Sequence, residues 1–215
     1  MKAAVLVCVG AVLAGCTTVV SDRPVFPASM AAGGPSLEGA YLVYGENGEN
    51  VITVSRRDGG RYEAIGFGTR PHYREGLAME FAAVPLGGGD FALQVSCLAS
   101  RNDSGAWNKE KDAAFAYWTL SASRARGDWF AGIIVADADR DALAAKYRLA
   151  AGKNALKIDG LSPGRALSFF RDWQAAQLAV GGDRVIPVIR ALDWTAPTGE
   201  AEFDHPIACR DVKAE

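Results

Sequence analysis

From residue 37 onward, short apolar or alternating runs are separated by Gly, Asn and Asp, the pattern of consecutive antiparallel strands. Positions 39–44, 51–56 and 61–68 form the first three. Asn47-Gly48 lies in the first turn, since both residues tolerate positive φ, and Asp58-Gly59-Gly60 lies in the second. Leu77, Met79, Phe81 and Ala83 then alternate with Ala78, Glu80 and Ala82. Pro85 and the glycines at 87–89 reverse the chain into Phe91, Leu93, Val95 and Cys97, a phase that points Cys97 inward with the apolar face. Residues 114–122 and 129–136 predict a further hairpin, in which Arg126-Gly127-Asp128 reads as the turn.

The period changes at Asp137. Leu143 and Tyr147 stand four apart, and Asp137 or Asp139 can cap a helix ending near Leu149. A short strand at 155–158 precedes the clearest helix start, Ser162 as cap with Pro163 at the first helical position. Leu167, Phe170, Trp173, Gln174 and Leu178 follow at helical spacing, and Gly181 stops the helix. Residues 185–192 predict a last strand, which Pro187 should confine to a sheet edge because it lacks an amide proton. The expected fold is therefore β-rich α+β: seven or eight mainly antiparallel strands in meander, forming a partly closed barrel or a sandwich, with two helices after residue 137 on one face or end.

Ahead of this domain, Lys2 and the apolar residues 3–12 form a positive start and a run too short to span a bilayer. The run ends in Leu13, Ala14, Gly15 and Cys16, which resembles the lipobox of bacterial lipoproteins. The resemblance implies that residues 1–15 are a signal peptide cut away and that Cys16 carries the lipid. Each buried methylene is worth about 0.8 kcal/mol, so two or three acyl chains anchor a protein firmly. Thr17 is not the Asp that resembles an inner-membrane retention signal, which points to the periplasmic face of the outer membrane in a diderm host. Residues 17–36, rich in Pro and Gly, then read as a flexible tether with a reach of roughly 25 Å. Residues 37–215 form one domain.

Composition narrows the partners. A formal charge of −2 argues against nucleic acid, which favours a basic face. With Cys8 removed and Cys16 acylated, Cys97 and Cys209 are an even pair, read as a disulfide in an oxidising compartment. No catalytic signature emerges. Asp137, Asp139 and Asp141 open like a calcium loop, but Ala142 stands where a Gly is wanted and Arg148 where a bidentate Glu is wanted. His72 with Glu75 lacks a third metal ligand, and His205 stands apart, so neither a metal nor another cofactor is expected. No Gly-x-Ser-x-Gly turn or phosphate loop occurs.

The cadence of residues 81–94, followed by an aromatic strand pair and a short late helix, resembles small uncharacterised proteobacterial exported lipoproteins; it implies a shape and no site. The leading expectation is a non-enzymatic binding or assembly module, attached to the membrane and meeting an envelope protein or cell-wall partner. The alternatives are a carrier holding an apolar ligand among Tyr41, Tyr44, Phe81, Phe91, Tyr117 and Trp118, and a cell-wall hydrolase with paired carboxylates.

Overall fold

The computed structural model describes residues 18–31, 37–45, 48–68, 76–101, 107–109, 114–122, 129–132, 137–152, 155–179, 185–191 and 209–211. Among the described residues, twelve strands run as β1 (Thr18–Ser21), β2 (Gly39–Gly45), β3 (Gly48–Arg56), β4 (Arg61–Gly68), β5 (Gly76–Gly87), β6 (Asp90–Arg101), β7 (Trp107–Lys109), β8 (Phe115–Ala122), β9 (Trp129–Gly132), β10 (Ala150–Ala151), β11 (Ala155–Lys157) and β12 (Val185–Ala191). The helices are the single turn α1 (Ala28–Ala31), α2 (Asp137–Tyr147) and α3 (Pro163–Ala179). The class is β-rich α+β, and the sheet is antiparallel except where β1 meets β11.

The meander β2 to β6 pairs in chain order. From β6 the ladders continue through β8, β9 and β12 and return to β2, so eight strands pair around a ring. The wall is thinnest at β12, where Val185, Ile186, Pro187 and Val188 pair with β9 while Val188 to Ala191 pair with β2. Among the described residues only Val188 belongs to both ladders, and the barrel is partly closed. The expected edge position of β12 is thus overturned: Pro187 is accommodated in an internal strand because the β2 ladder starts one residue after it.

Two large cores lie on either side of this wall. Tyr41, Val54, Tyr62, Ala64, Met79, Phe81, Phe91, Leu93 and Val95 pack inside the ring, where Tyr62 and Phe81 stack at 5.4 Å. A methyl group added at Gly66 would meet Ile52 Cγ1 at 3.0 Å. Outside, Val84, Leu86, Ala92 and Tyr117 of β5, β6 and β8 meet Val19, Leu156 and Ile158, and α3 lays Ala166, Phe169, Phe170 and Trp173 over them. Of the expected stripe Leu167, Phe170, Trp173, Gln174 and Leu178, the middle three are buried and Leu167 is half-buried, Phe169 joins them, and the Leu178 side chain lies outside the described residues.

Residues 18–31 correct the tether expectation. Val19, Ser21, Phe26 and Ala31 are buried, β1 pairs with β8 and β11, and α1 packs beside β5. Long-range side chains satisfy this segment's backbone, which holds it in place despite Pro24 and Pro27. The Val25 amide donates to Tyr117 Oη at 3.1 Å, the Phe26 amide to Gln94 Oε1 at 2.9 Å, and Gln94 Nε2 donates to the Phe26 carbonyl at 3.2 Å. Burial raises the Tyr117 pKa, with the Ser21 and Val25 hydrogen bonds opposing, so the phenol stays protonated in this network.

Candidate functional site

A pocket of about 350 Å³ opens where α2 ends and α3 begins. Its wall is fixed by local chemistry. Helix α2 stops in a Schellman motif, with the Leu149 amide reaching the Ala144 carbonyl at 2.9 Å, and Arg148 takes the left-handed position at φ 57°. The chain then enters the hairpin of β10 and β11, in which Ala150 faces Lys157. A turn follows, closed by the Leu161 amide on the Ile158 carbonyl at 3.0 Å, and delivers Ser162 and Pro163 to the start of α3.

Three cationic side chains, Arg148, Lys157 and Arg165, line this pocket with the ring of Tyr147, Leu161 and one carboxylate, Asp159. Arg165 is held in place: its Nη2 donates to the Tyr147 carbonyl at 3.4 Å, and its guanidinium lies 6.0 Å from the Tyr147 ring centroid. Asp159 Oδ1 accepts the Asp22 amide at 2.7 Å, and Lys157 Nζ lies 3.5 Å from Asp22 Oδ2. Among the described residues neither Arg148 nor Arg165 is in an ion pair, so the pocket carries an excess of positive charge.

Behind the pocket, Tyr147 Oη donates to Asp172 Oδ2 at 2.6 Å, and Lys146 Nζ reaches the same oxygen at 2.6 Å. Burial pushes the Tyr147 phenol up to about 12, with the Asp172 hydrogen bond adding to it. Burial also acts to raise the Asp172 carboxyl, but the hydrogen bonds from Lys146 and Tyr147 outweigh it and leave that pKa lowered. The signs fix two windows. Asp172 stabilises the fold above its unfolded value near 4, and that contribution is lost as pH falls through the lower folded value. Tyr147 stabilises it below the unfolded value of about 10, and that contribution is lost as pH rises from there toward about 12. Urea unfolding across the alkaline range should therefore show wild type losing stability more steeply than Tyr147→Phe; parallel losses would contradict this account.

The structure joins Cys97 and Cys209 in a disulfide with Cα atoms 6.0 Å apart. It corrects the face of Cys97. Phe81 pairs with Val95 but Glu80 pairs with Cys97, so Ser96 is an extra residue, a bulge that reverses the alternation. Leu98 therefore contacts the interior, while Cys97 and Ala99 form a small outer core with Ala78 and Cys209.

Of the six aromatics proposed for a carrier, Tyr41, Phe81, Phe91 and Trp118 meet in the inner core, whereas Tyr117 lies in the outer one. The Tyr44 side chain, Cys16, His72, Glu75, His205 and Arg126-Gly127-Asp128 lie outside the described residues. Asp137, Asp139 and Asp141 fall in the opening turns of α2, where Asp141 Oδ1 accepts from Arg140 Nε at 2.8 Å. The basic pocket was missed in the sequence because its cations come from separate elements; the one local signal was a non-glycine residue at a helix stop. Comparison with protein-family models, curated proteins and solved structures finds no match to the chain.

Proposed function

We propose that this chain is a lipid-anchored cell-envelope protein, held at the periplasmic face of the outer membrane, where it acts as a non-enzymatic binding or assembly module. The observation that carries the reading is the Cys97–Cys209 disulfide, because such bonds persist in oxidising compartments. It leaves Cys16, at the end of the lipobox, as the unbridged cysteine of the cleaved chain. The described side chains inside the ring pack against one another, which supports recognition on the outer surface over carriage of an apolar ligand within.

Because β1 begins at Thr18, two peptide steps after Cys16, the anchor would hold the domain within about 7 Å of the acylated residue. The module is therefore presented at the membrane surface and not on a long stalk. Cells grown with an alkyne-bearing palmitate analogue should label the wild-type protein but not Cys16→Ala, which should move to the soluble periplasmic fraction with its unfolding midpoint unchanged. Label retained on Cys16→Ala, or undiminished membrane association, would overturn the proposal.

A further inference from the structure

We propose that the pocket between α2 and α3 binds a small phosphate-bearing anion, with Arg148, Lys157 and Arg165 contacting the phosphate and Tyr147 and Leu161 accepting an attached apolar group. This deepens the reading of the chain as a binding module and supplies a ligand class for it. Three features converge on it.

The pocket is concave and, at about 350 Å³, within the size range of small-molecule sites. Its three cations come from three different elements, the end of α2, strand β11 and the first turn of α3, and surround one space instead of one face of a helix. Guanidinium groups present forked donors that match phosphate oxygens, and Arg165 is already oriented by the Tyr147 carbonyl and ring. Asp159, the carboxylate in the lining, has one oxygen occupied by the Asp22 amide.

The third feature is the backbone at Arg148. A helix that ends with a left-handed residue ordinarily uses Gly, because a Cβ is disfavoured there. Here the position at φ 57° is held by Arg. A residue that opposes the local conformational preference and stands in a pocket wall is the pattern of a side chain kept for binding. The same fact gives a clean test, since Gly suits that backbone better than Arg and Arg148→Gly retains the fold.

The full chain in a neutral detergent would be titrated calorimetrically with inorganic phosphate, phenyl phosphate and uncharged phenol. Phenyl phosphate should bind most tightly and phenol not at all, and added salt should weaken the binding. Arg148→Gly and Arg165→Gln should each raise the phenyl phosphate Kd by about tenfold or more, while Arg56→Gln, an exposed cation on β3, should leave it within about twofold. Arg148→Gly should at the same time melt a few degrees higher than wild type. A guanidinium with a purely structural role would instead lower the melting temperature.

A parallel arm places the chain on phosphatidylcholine vesicles with and without phosphatidylglycerol. Competition between phenyl phosphate and the anionic vesicles at the pocket identifies a lipid headgroup as the source of the phosphate, and binding unaffected by vesicles identifies a free one. Absence of phenyl phosphate binding up to about 10 mM, a Kd far outside any useful affinity, would overturn the proposal. So would equal binding of phenol, or an equal loss in Arg56→Gln. The anchor is read separately through acylation of Cys16, so a failed titration leaves that reading standing and a failed labelling leaves the pocket standing.

Discussion

Cys97→Ser is expected to lower the stability of the folded domain by about 5 kcal/mol, the chain-entropy value for a loop of this size. The bridge joins residues 112 apart in sequence and fastens the short turn Cys209–Asp211 to the outer face of β5 and β6. Without it, the unfolded chain regains the freedom of a loop more than half its own length, while the folded chain keeps its ladders. Cys209→Ser should cost the same, and the double replacement no more than either single change, since one interaction is removed in all three cases. Urea unfolding under non-reducing conditions measures this. Equal midpoints for wild type and Cys97→Ser would show that the two sulfurs are not joined in solution.

A loss of about 3 to 5 kcal/mol is expected for Trp173→Ala, the range for removing a large aromatic from a packed core. Trp173 is 2% exposed. Its ring lies 5.6 Å from that of Phe169, in the cluster that also holds Phe26, Tyr117 and Phe170. Arg171 Nε ties α3 to the Leu86 carbonyl of β5 at 2.6 Å, and side-chain burial supplies the rest of the attachment, so the residual cavity adds to the lost transfer energy. On the solvent side of the same helix, Ser168→Ala should change stability by less than about 0.5 kcal/mol. If Trp173→Ala lost as little, α3 would not be docked on the barrel as described.

How much of this was legible depends on the range of the interactions. The start of α3 was readable because Ser162 and Pro163 act within one turn, and the observed helix begins at Pro163. The strand from Arg61 to Gly68 was readable because its turn residues and alternation are local. Residues 18–31 were not: their Pro-rich composition resembles a linker, and their order comes from Gln94 and Tyr117, 68 and 92 positions away. The face of Cys97 was misread because one extra residue, Ser96, shifts a period-two pattern without changing its composition. The candidate site was the least legible part, since the nearness of Arg148, Lys157 and Arg165 follows from how α2, the β10–β11 hairpin and α3 meet.

By itself, then, the sequence determined the β-rich α+β class and most strand and helix positions, because these rest on periodicity and capping within short windows. Tertiary structure alone decided that eight strands pair around a ring, that an internal strand accepts Pro187, and that the outer face of the wall carries a second core. It also decided that three separate cations border one pocket. The physical reason is common to all of these: strand partners, burial and the sum of local charge depend on what lies nearby in space, and a one-dimensional pattern does not encode those neighbours.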